Sequence, residues 1–124
     1  MLSLQNVKIR GPGLAFVRNH AKLRVLNLSG TDVGDDALIY LIGLAELDTL
    51  ALENTKVTGA GLKKLQPLEK LRVLNLNGCK IGGDDLEDLV GHDALRMLYI
   101  RRCGVPAKSV EDFKPKMVSL AIYR

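Results

Sequence analysis

Hydrophobic residues recur along this chain at every twenty-fourth position. The phrases LRVLNLSGTDV at 23–33 and LRVLNLNGCKI at 71–81 are two periods apart, and a degenerate copy, LDTLALENTKV, occupies 47–57. Within each phrase leucine alternates with other residues, which predicts a short β-strand with one buried face. The buried columns of this pattern are Leu2, Leu26, Leu50, Leu74 and Leu98, and Leu4, Leu28, Leu52, Leu76 and Ile100.

The second part of each unit has the spacing of a short helix or helical turn. Apolar residues lie three apart, as in Leu62 and Leu65, and Pro67 then ends the segment. One strand and one helix in so short a unit cannot bury both apolar faces alone, whereas stacked units can. We therefore predict an α/β solenoid in which residues 1–124 form a single domain of about five repeats plus a terminal strand.

The last unit is expected to be shorter than the others. A step from Leu98 to Leu120 and from Ile100 to Ile122, two positions less than the usual period, places these residues in the same columns. Residues between the buried positions point outward and stack into columns on the strand face. With this register the three columns are Met1, Val25, Thr49, Val73, Met97 and Ser119; Ser3, Asn27, Ala51, Asn75, Tyr99 and Ala121; and Gln5, Ser29, Glu53, Asn77, Arg101 and Tyr123.

The pattern LxxLxLxx(T/C)x(V/I) followed by a helix resembles the leucine-rich repeat. The polar place of the pattern holds Thr31, Thr55, Cys79 and Cys103, and departs from it only at Val7. The length of the period is similar to that of short-helix repeats of bacterial proteins and of cysteine-containing repeats of ubiquitin-ligase adaptors. The resemblance covers essentially the whole chain. It implies a leucine-rich-repeat solenoid with a parallel β-sheet on the concave side and short helices on the convex side. The resemblance also implies that the strand face binds other macromolecules, most often proteins.

The outward residues of the strands suggest where a protein partner would bind. The first four strands display small or uncharged groups apart from Glu53, whereas the last two display aromatic, thioether and guanidinium groups. Tyr, Met and Arg are enriched in interface cores, and Tyr and Arg among hot spots. The candidate partner-binding residues are Asn27, Asn75, Met97, Tyr99, Arg101 and Tyr123. The alternative is that Tyr99 and Tyr123 only pack against each other as cross-strand neighbours.

No arrangement of reactive residues points to an enzyme. His20 and His92 are three periods apart, or about 15 Å, so they cannot share a metal or a proton relay, and both are expected at helix ends or in loops. The acidic pairs at 35–36 and 84–85 fall where helices begin, and Thr58 is a further candidate cap. The glycines fit neither a dinucleotide fingerprint nor a phosphate loop. We assign no catalytic, metal or cofactor residues.

The two cysteines are one period apart, on adjacent strands whose spacing permits a disulfide. Because Thr31 and Thr55 hold the same column, two reduced, buried thiols are the preferred interpretation. The start of the chain lacks the apolar region of a signal peptide, and no apolar run approaches the length of about 18 that a membrane span needs. We expect a cytoplasmic protein that does not span a membrane.

Positive charge is concentrated at the C-terminal end. From residue 95 onward there are seven Lys or Arg and two Asp or Glu, whereas the rest of the chain has eleven and twelve. This end could contact phosphates, so a nucleic-acid-associated protein is the alternative function. Its cations are spread over strand face, loops and helices, and aromatic residues make up only 4% of the chain, which disfavours that alternative. The terminal strands show no obvious capping element, and three explanations stay open. The chain is a piece of a longer repeat protein, its ends pair with another copy in end-to-end self-association, or the last unit is capped by its own atypical residues Phe113, Lys114, Pro115 and Lys116.

Overall fold

Six short strands form one parallel sheet in the order in which they occur along the chain. The structure, a computed structural model, describes residues 1–124. The strands are β1 (Leu2–Ser3), β2 (Val25–Asn27), β3 (Thr49–Ala51), β4 (Val73–Asn75), β5 (Met97–Tyr99) and β6 (Ala121–Tyr123). Each strand is hydrogen-bonded to the next, so every unit of the sequence adds one coil to a solenoid.

Short helices connect the strands on the opposite side of the core. The first four connections contain 3-10 helices, at Gly11–Asn19, Asp35–Leu41, Gly59–Leu65 and Asp84–Leu89. The fifth contains an α-helix, α1 (Ala107–Phe113), followed by a 3-10 turn at Lys114–Lys116. The predicted alternation of strand and short helix is confirmed, and the tight 3-10 geometry suits a connection that has room for only about two turns.

The leucine columns form the core. Leu26 pairs with Leu50 in the neighbouring strand, and Leu50 pairs with Leu74, which in turn pairs with Leu98. All four side chains are fully buried. The helices contribute parallel columns to the same cluster, among them Leu38, Leu62 and Leu86. Because each leucine lies on its counterpart one period away, the predicted solenoid and its register are confirmed for the first five strands.

The predicted register of the last strand is wrong. Leu98 pairs with Ile122 and Tyr99 pairs with Tyr123, so the last strand keeps the full period and is not shortened by two positions. The outward columns therefore differ from the prediction in β6. Ala121, and not Ser119, is the neighbour of Met97, and Tyr123 is the neighbour of Tyr99 and not of Arg101. A shift by two keeps the same side chains facing inward, so the hydrophobic pattern alone does not distinguish these registers.

Leu120 fills a different place from the one predicted. Its N–H donates to the carbonyl of Met117 at 3.0 Å, as the N–H of Leu95 donates to the carbonyl of His92 at 3.2 Å. Leu120 therefore corresponds to Leu95, at the turn before the strand, and not to Leu98.

One residue after each of the first five strands adopts left-handed backbone geometry. The residues concerned are Asn6, Gly30, Asn54, Gly78 and Arg102, with φ between 53° and 73°. The side chains of Asn6 and Asn54 lie directly over Gly30 and Gly78 of the next coil, where an added Cβ would overlap the asparagine Oδ1. Asparagine and glycine thus alternate in this column because a side chain on one coil occupies space that glycine leaves on the next.

The acidic pairs lie at the starts of helices as predicted, but the prediction that they cap these helices is wrong, because neither helix has a side-chain capping bond. Asp35 does not bond its own helix, and its carboxylate instead accepts the N–H of Thr58 on the next coil at 2.8 Å. The Thr58 hydroxyl also donates to Asp35 and makes no capping bond. Asp85 accepts the N–H of Gly82, ahead of its helix, at 2.7 Å. Asp35 therefore links neighbouring coils.

Candidate functional site

The strand face ends in an exposed aromatic surface on β5 and β6. The rings of Tyr99 and Tyr123 stack with centroids 4.6 Å apart and planes inclined by 13°. The side chain of Met97 lies beside them, with its sulfur 3.9 Å from the Tyr99 hydroxyl. Met97 is 40% exposed and Tyr123 is 37% exposed. The cross-strand contact between the tyrosines is therefore present, and it leaves apolar area open to solvent.

Arg101 lies two residues after Tyr99, and its guanidinium has no hydrogen-bond or ion-pair partner. Its backbone N–H donates to Oδ1 of Asn77 at 2.7 Å, which fixes the main chain at this point. Its side chain is exposed and makes no hydrogen bond or ion pair. The neighbouring Arg102 differs, because its guanidinium reaches Oε1 of Glu53 at 2.9 Å.

The two candidate asparagines are half-buried and held by local hydrogen bonds. Oδ1 of Asn27 accepts the N–H of Ser29 at 3.0 Å, and Oδ1 of Asn75 accepts the N–H of Asn77 at 2.9 Å. These bonds fix both side chains in one orientation. Ser29 itself is buried, so this member of the predicted outward columns does not lie on the surface.

The structure brings five of the six candidate residues together. Asn75 pairs directly with Tyr99, which pairs with Tyr123. Met97 lies on the same strand as Tyr99, and Arg101 lies in the turn two residues after it. Asn27 lies three strands from Tyr99, at about 14 Å. We call the five clustered residues the terminal patch: Asn75, Met97, Tyr99, Arg101 and Tyr123.

The electrostatic balance of this region is positive. The only carboxylate in the outward columns, on Glu53, is paired with Arg102 and accepts the Asn75 amide at 3.3 Å. Arg96, Arg101 and Arg124 have no carboxylate partner. Nε of Arg124 donates to the carbonyl of Val105 at 2.8 Å, and Arg96 donates to neighbouring backbone carbonyls. Within the terminal patch, the guanidinium of Arg101 is therefore a cation without a carboxylate partner.

The histidines lie where the sequence places them, but one of them is buried. His20 is exposed at the end of the first 3-10 helix, edge-on to Phe16 at 6.2 Å. His92 is 3% exposed, its Nε2 lies 3.3 Å from the carbonyl of Leu65, and its Nδ1 has no hydrogen-bond partner. The signal for this burial is the periodic column that His92 shares with Leu44 and Leu68, both of which belong to the core.

The cysteines are free thiols that differ in exposure. Cys79 is buried and donates to the carbonyl of Leu52 at 3.0 Å. Cys103 is half-buried and donates to the carbonyl of Leu76 at 3.1 Å, which corrects the expectation that both thiols are buried. Desolvation by burial raises the pKa of Cys103 above its ordinary value.

Two further findings bear on what the chain can bind. No group of three or more His, Cys, Asp and Glu side chains is arranged to hold a metal ion. No helix combines the length and the apolar character that a passage through a membrane requires. The terminal patch therefore stands out as a surface and not as an enclosed site.

Comparison with known proteins agrees with the repeat pattern. The sequence model described as "Leucine Rich repeat" matches residues 19–41 and 68–90. Each match spans the end of one unit and the strand and helix of the next, so the matched segments follow the structural coils. The two matched segments are leucine-rich repeats, and the fold of the whole chain is a leucine-rich-repeat solenoid. No curated protein matches it.

Similar solved structures have the same fold. The actin-binding site 2 of leiomodin-1 is 15% identical with a TM-score of 0.68, over 95% of this chain and 78% of that one. A leucine-rich-repeat protein from Leptospira interrogans is 22% identical with a TM-score of 0.61, over 82% and 25%. An internalin from Listeria monocytogenes is 18% identical with a TM-score of 0.57, over 98% and 46%. The chain spans less than half the length of these two bacterial structures.

Proposed function

We propose that this protein is a non-catalytic scaffold that binds a protein segment on its strand face, with the strongest contacts at the terminal patch. The observation that carries the proposal is the stacked pair of Tyr99 and Tyr123, which is exposed beside Met97 at the end of a hydrogen-bonded sheet. Large aromatic and thioether groups of this kind dominate interface cores.

Preorganisation supports the same proposal. The tyrosines stack on each other, Arg101 is fixed through its backbone to Asn77, and Asn75 is held by its own turn. A partner that docks here has few side chains to immobilise, so little binding free energy is lost to ordering the surface. The leucine columns beneath the sheet provide the rigid support.

The fold comparisons are consistent with a protein partner. Leucine-rich repeats build solenoids with an extended face, and the similar leiomodin-1 domain is an actin-binding site. We take from this the class of partner, a protein, and not its identity. We further propose a cytoplasmic location, which the two free thiols support.

Nucleic-acid binding by the basic end has weaker support. Of the seven cations after residue 95, three form ion pairs: Arg102 with Glu53, Lys108 with Asp112 and Lys116 with Glu87. The remaining four do not lie on one surface, because Lys114 belongs to the helix side and Arg101 to the strand face. Nonspecific nucleic-acid binding depends on many cations along one groove.

Affinity capture with matched variants tests the proposal. The double variant Tyr99→Ala/Arg101→Ala removes one aromatic ring and one cation from the terminal patch. The control, Phe16→Ala/Lys114→Ala, removes the same groups from the helix side, where both residues are exposed. We expect proteins captured by the wild type and the control to be lost from the first variant, and each substitution in it to cost at least about 1 kcal/mol of binding free energy in titration.

Equal loss of captured proteins with both variants, or with the control alone, would contradict the proposal. Circular dichroism of each variant establishes that the fold is retained before capture. A random-duplex binding assay at low salt tests the nucleic-acid alternative, because binding that falls steeply as salt rises would favour it.

A further inference from the structure

We propose that the segment bound at the terminal patch is acidic, with a carboxylate that pairs with Arg101 and an apolar side chain that covers the tyrosine stack. This inference rests on the proposed function and adds the chemistry of the partner. Its first support is the state of Arg101, whose guanidinium is exposed and without any partner in the free protein. Five N–H donors in a planar fork match a carboxylate in bidentate geometry.

The charges around Arg101 favour a carboxylate on the partner over a second cation. Glu53, the only acidic residue of the outward columns, is already paired with Arg102. Arg124 follows Tyr123 in the chain, and its Nε donates to the carbonyl of Val105, so this cation has no carboxylate partner either. A basic segment would meet the unpaired cation of Arg101, whereas an acidic segment would meet complementary charge.

The spacing of the two contacts limits the shape of the segment. Tyr99 is the last residue of β5 and Arg101 lies in the turn that follows, two positions further along the chain, so at most about 7 Å separates their Cα atoms. An extended peptide has the same separation between its own residues i and i+2. A segment with an acidic residue two positions from an apolar or aromatic residue therefore matches Arg101 and the stack of Tyr99 and Tyr123 together.

The stack itself favours a peptide over a single-stranded nucleic acid. Tyr99 and Tyr123 use one ring face each on one another, at 4.6 Å, so the pair does not offer an open slot for an inserted base. Met97 lies against the Tyr99 hydroxyl and adds an apolar, deformable edge that suits an aliphatic or aromatic side chain. Nucleic acid is nevertheless one outcome of the test below.

The test is a selection from a displayed library of random peptides on the wild-type chain, followed by titration of one selected synthetic peptide. We expect Asp and Glu to be enriched at a fixed spacing from an apolar residue. Arg101→Glu should weaken that peptide by more than about tenfold, since a hydrogen-bonded carboxylate pair is replaced by like charges. Lys114→Glu changes the net charge equally on the helix side and should leave the affinity unchanged.

The outcomes separate this inference from the proposed function. If selected peptides need Tyr99 but show no acidic enrichment, or bind Arg101→Glu as well as the wild type, the acidic partner is refuted and the strand-face site stands. If their binding is insensitive to Tyr99→Ala, both proposals fail. If no peptide is selected, the inference also fails, and Arg101-dependent binding of an oligothymidine probe would then assign the patch to nucleic acid.

Discussion

Substitution of Gly78 by alanine should reveal how closely neighbouring coils approach. Gly78 has a φ of 73°, and an added Cβ would overlap Oδ1 of Asn54 on the preceding coil. Alanine therefore meets two separate obstacles, one in its own backbone and one in a residue a full period away. Gly91 provides the matched control, because it has a φ of 88° but nothing within 4 Å of the added Cβ.

The two obstacles have different magnitudes. A non-glycine residue in left-handed geometry costs about 1–2 kcal/mol, which is the whole effect expected for Gly91→Ala. The overlap with Asn54 adds about 1–3 kcal/mol of overpacking, so Gly78→Ala should lower the free energy of unfolding by about 2–5 kcal/mol. Asn54 can become glycine without strain because its own φ is 53°. In the Asn54→Gly background, Gly78→Ala should therefore cost only about 1–2 kcal/mol.

Urea unfolding followed by far-ultraviolet circular dichroism measures all four proteins of this double-mutant cycle and the Gly91 control. Since residues in contact couple and distant residues add, we expect a coupling free energy of about 1 kcal/mol or more between positions 54 and 78. Additive effects, or an equal cost for Gly78→Ala and Gly91→Ala, would show that Asn54 does not lie over Gly78. The stacked geometry of the turns would then be incorrect.

Three other perturbations have clear expectations. Leu74→Ala empties a fully buried position between two paired leucines, so it should lower the free energy of unfolding by about 2–5 kcal/mol in the same assay. A decrease of less than about 1 kcal/mol would mean that the leucine column is not packed. His92→Leu removes a buried Nδ1 that has no partner, so thermal unfolding should show a gain of about 1 kcal/mol. A loss would show that the contact of Nε2 with the carbonyl of Leu65 outweighs the cost of the unpaired Nδ1. Iodoacetamide should modify Cys103 before the buried Cys79 in the folded protein. Because the pKa of Cys103 is raised, its thiolate fraction and alkylation rate should still be increasing at a pH where an unperturbed thiol has levelled off, and an early plateau would contradict the burial.

The period of the sequence predicts most of the fold because identical positions must stack when coils stack. Leu26, Leu50, Leu74 and Leu98 are equivalent in sequence and adjacent in space. The last register is missed for a physical reason. Leu120 and Ile122 alternate with polar or small residues in either register, so inward and outward faces are unchanged when the strand shifts by two. The strand pairing of Leu98 with Ile122 and the turn hydrogen bond of Leu120 distinguish the two possibilities.

The terminal patch is predictable as a set of residue types but not as an arrangement. The sequence predicts Tyr99 and Tyr123 at outward positions, yet their direct stacking depends on the register of β6. The guanidinium of Arg101 has no ion-pair partner because Glu53, the carboxylate of the outward columns, pairs with Arg102. Arg102 lies in a turn with left-handed backbone geometry, which the local sequence pattern does not predict. Asp35 shows the same limit, because its bond to Thr58 joins two different coils.

The most direct test of partner recognition on the strand face is a nuclear magnetic resonance titration of the labelled protein with a selected peptide. We expect the largest amide shift changes at Met97–Arg101 and Ala121–Tyr123, with smaller changes at Asn75 and none around Phe16 and Lys114 on the helix side. Shift changes centred on the helix side would contradict the account. Changes spread evenly over all coils, with no excess at Met97–Arg101 and Ala121–Tyr123, would contradict it as well.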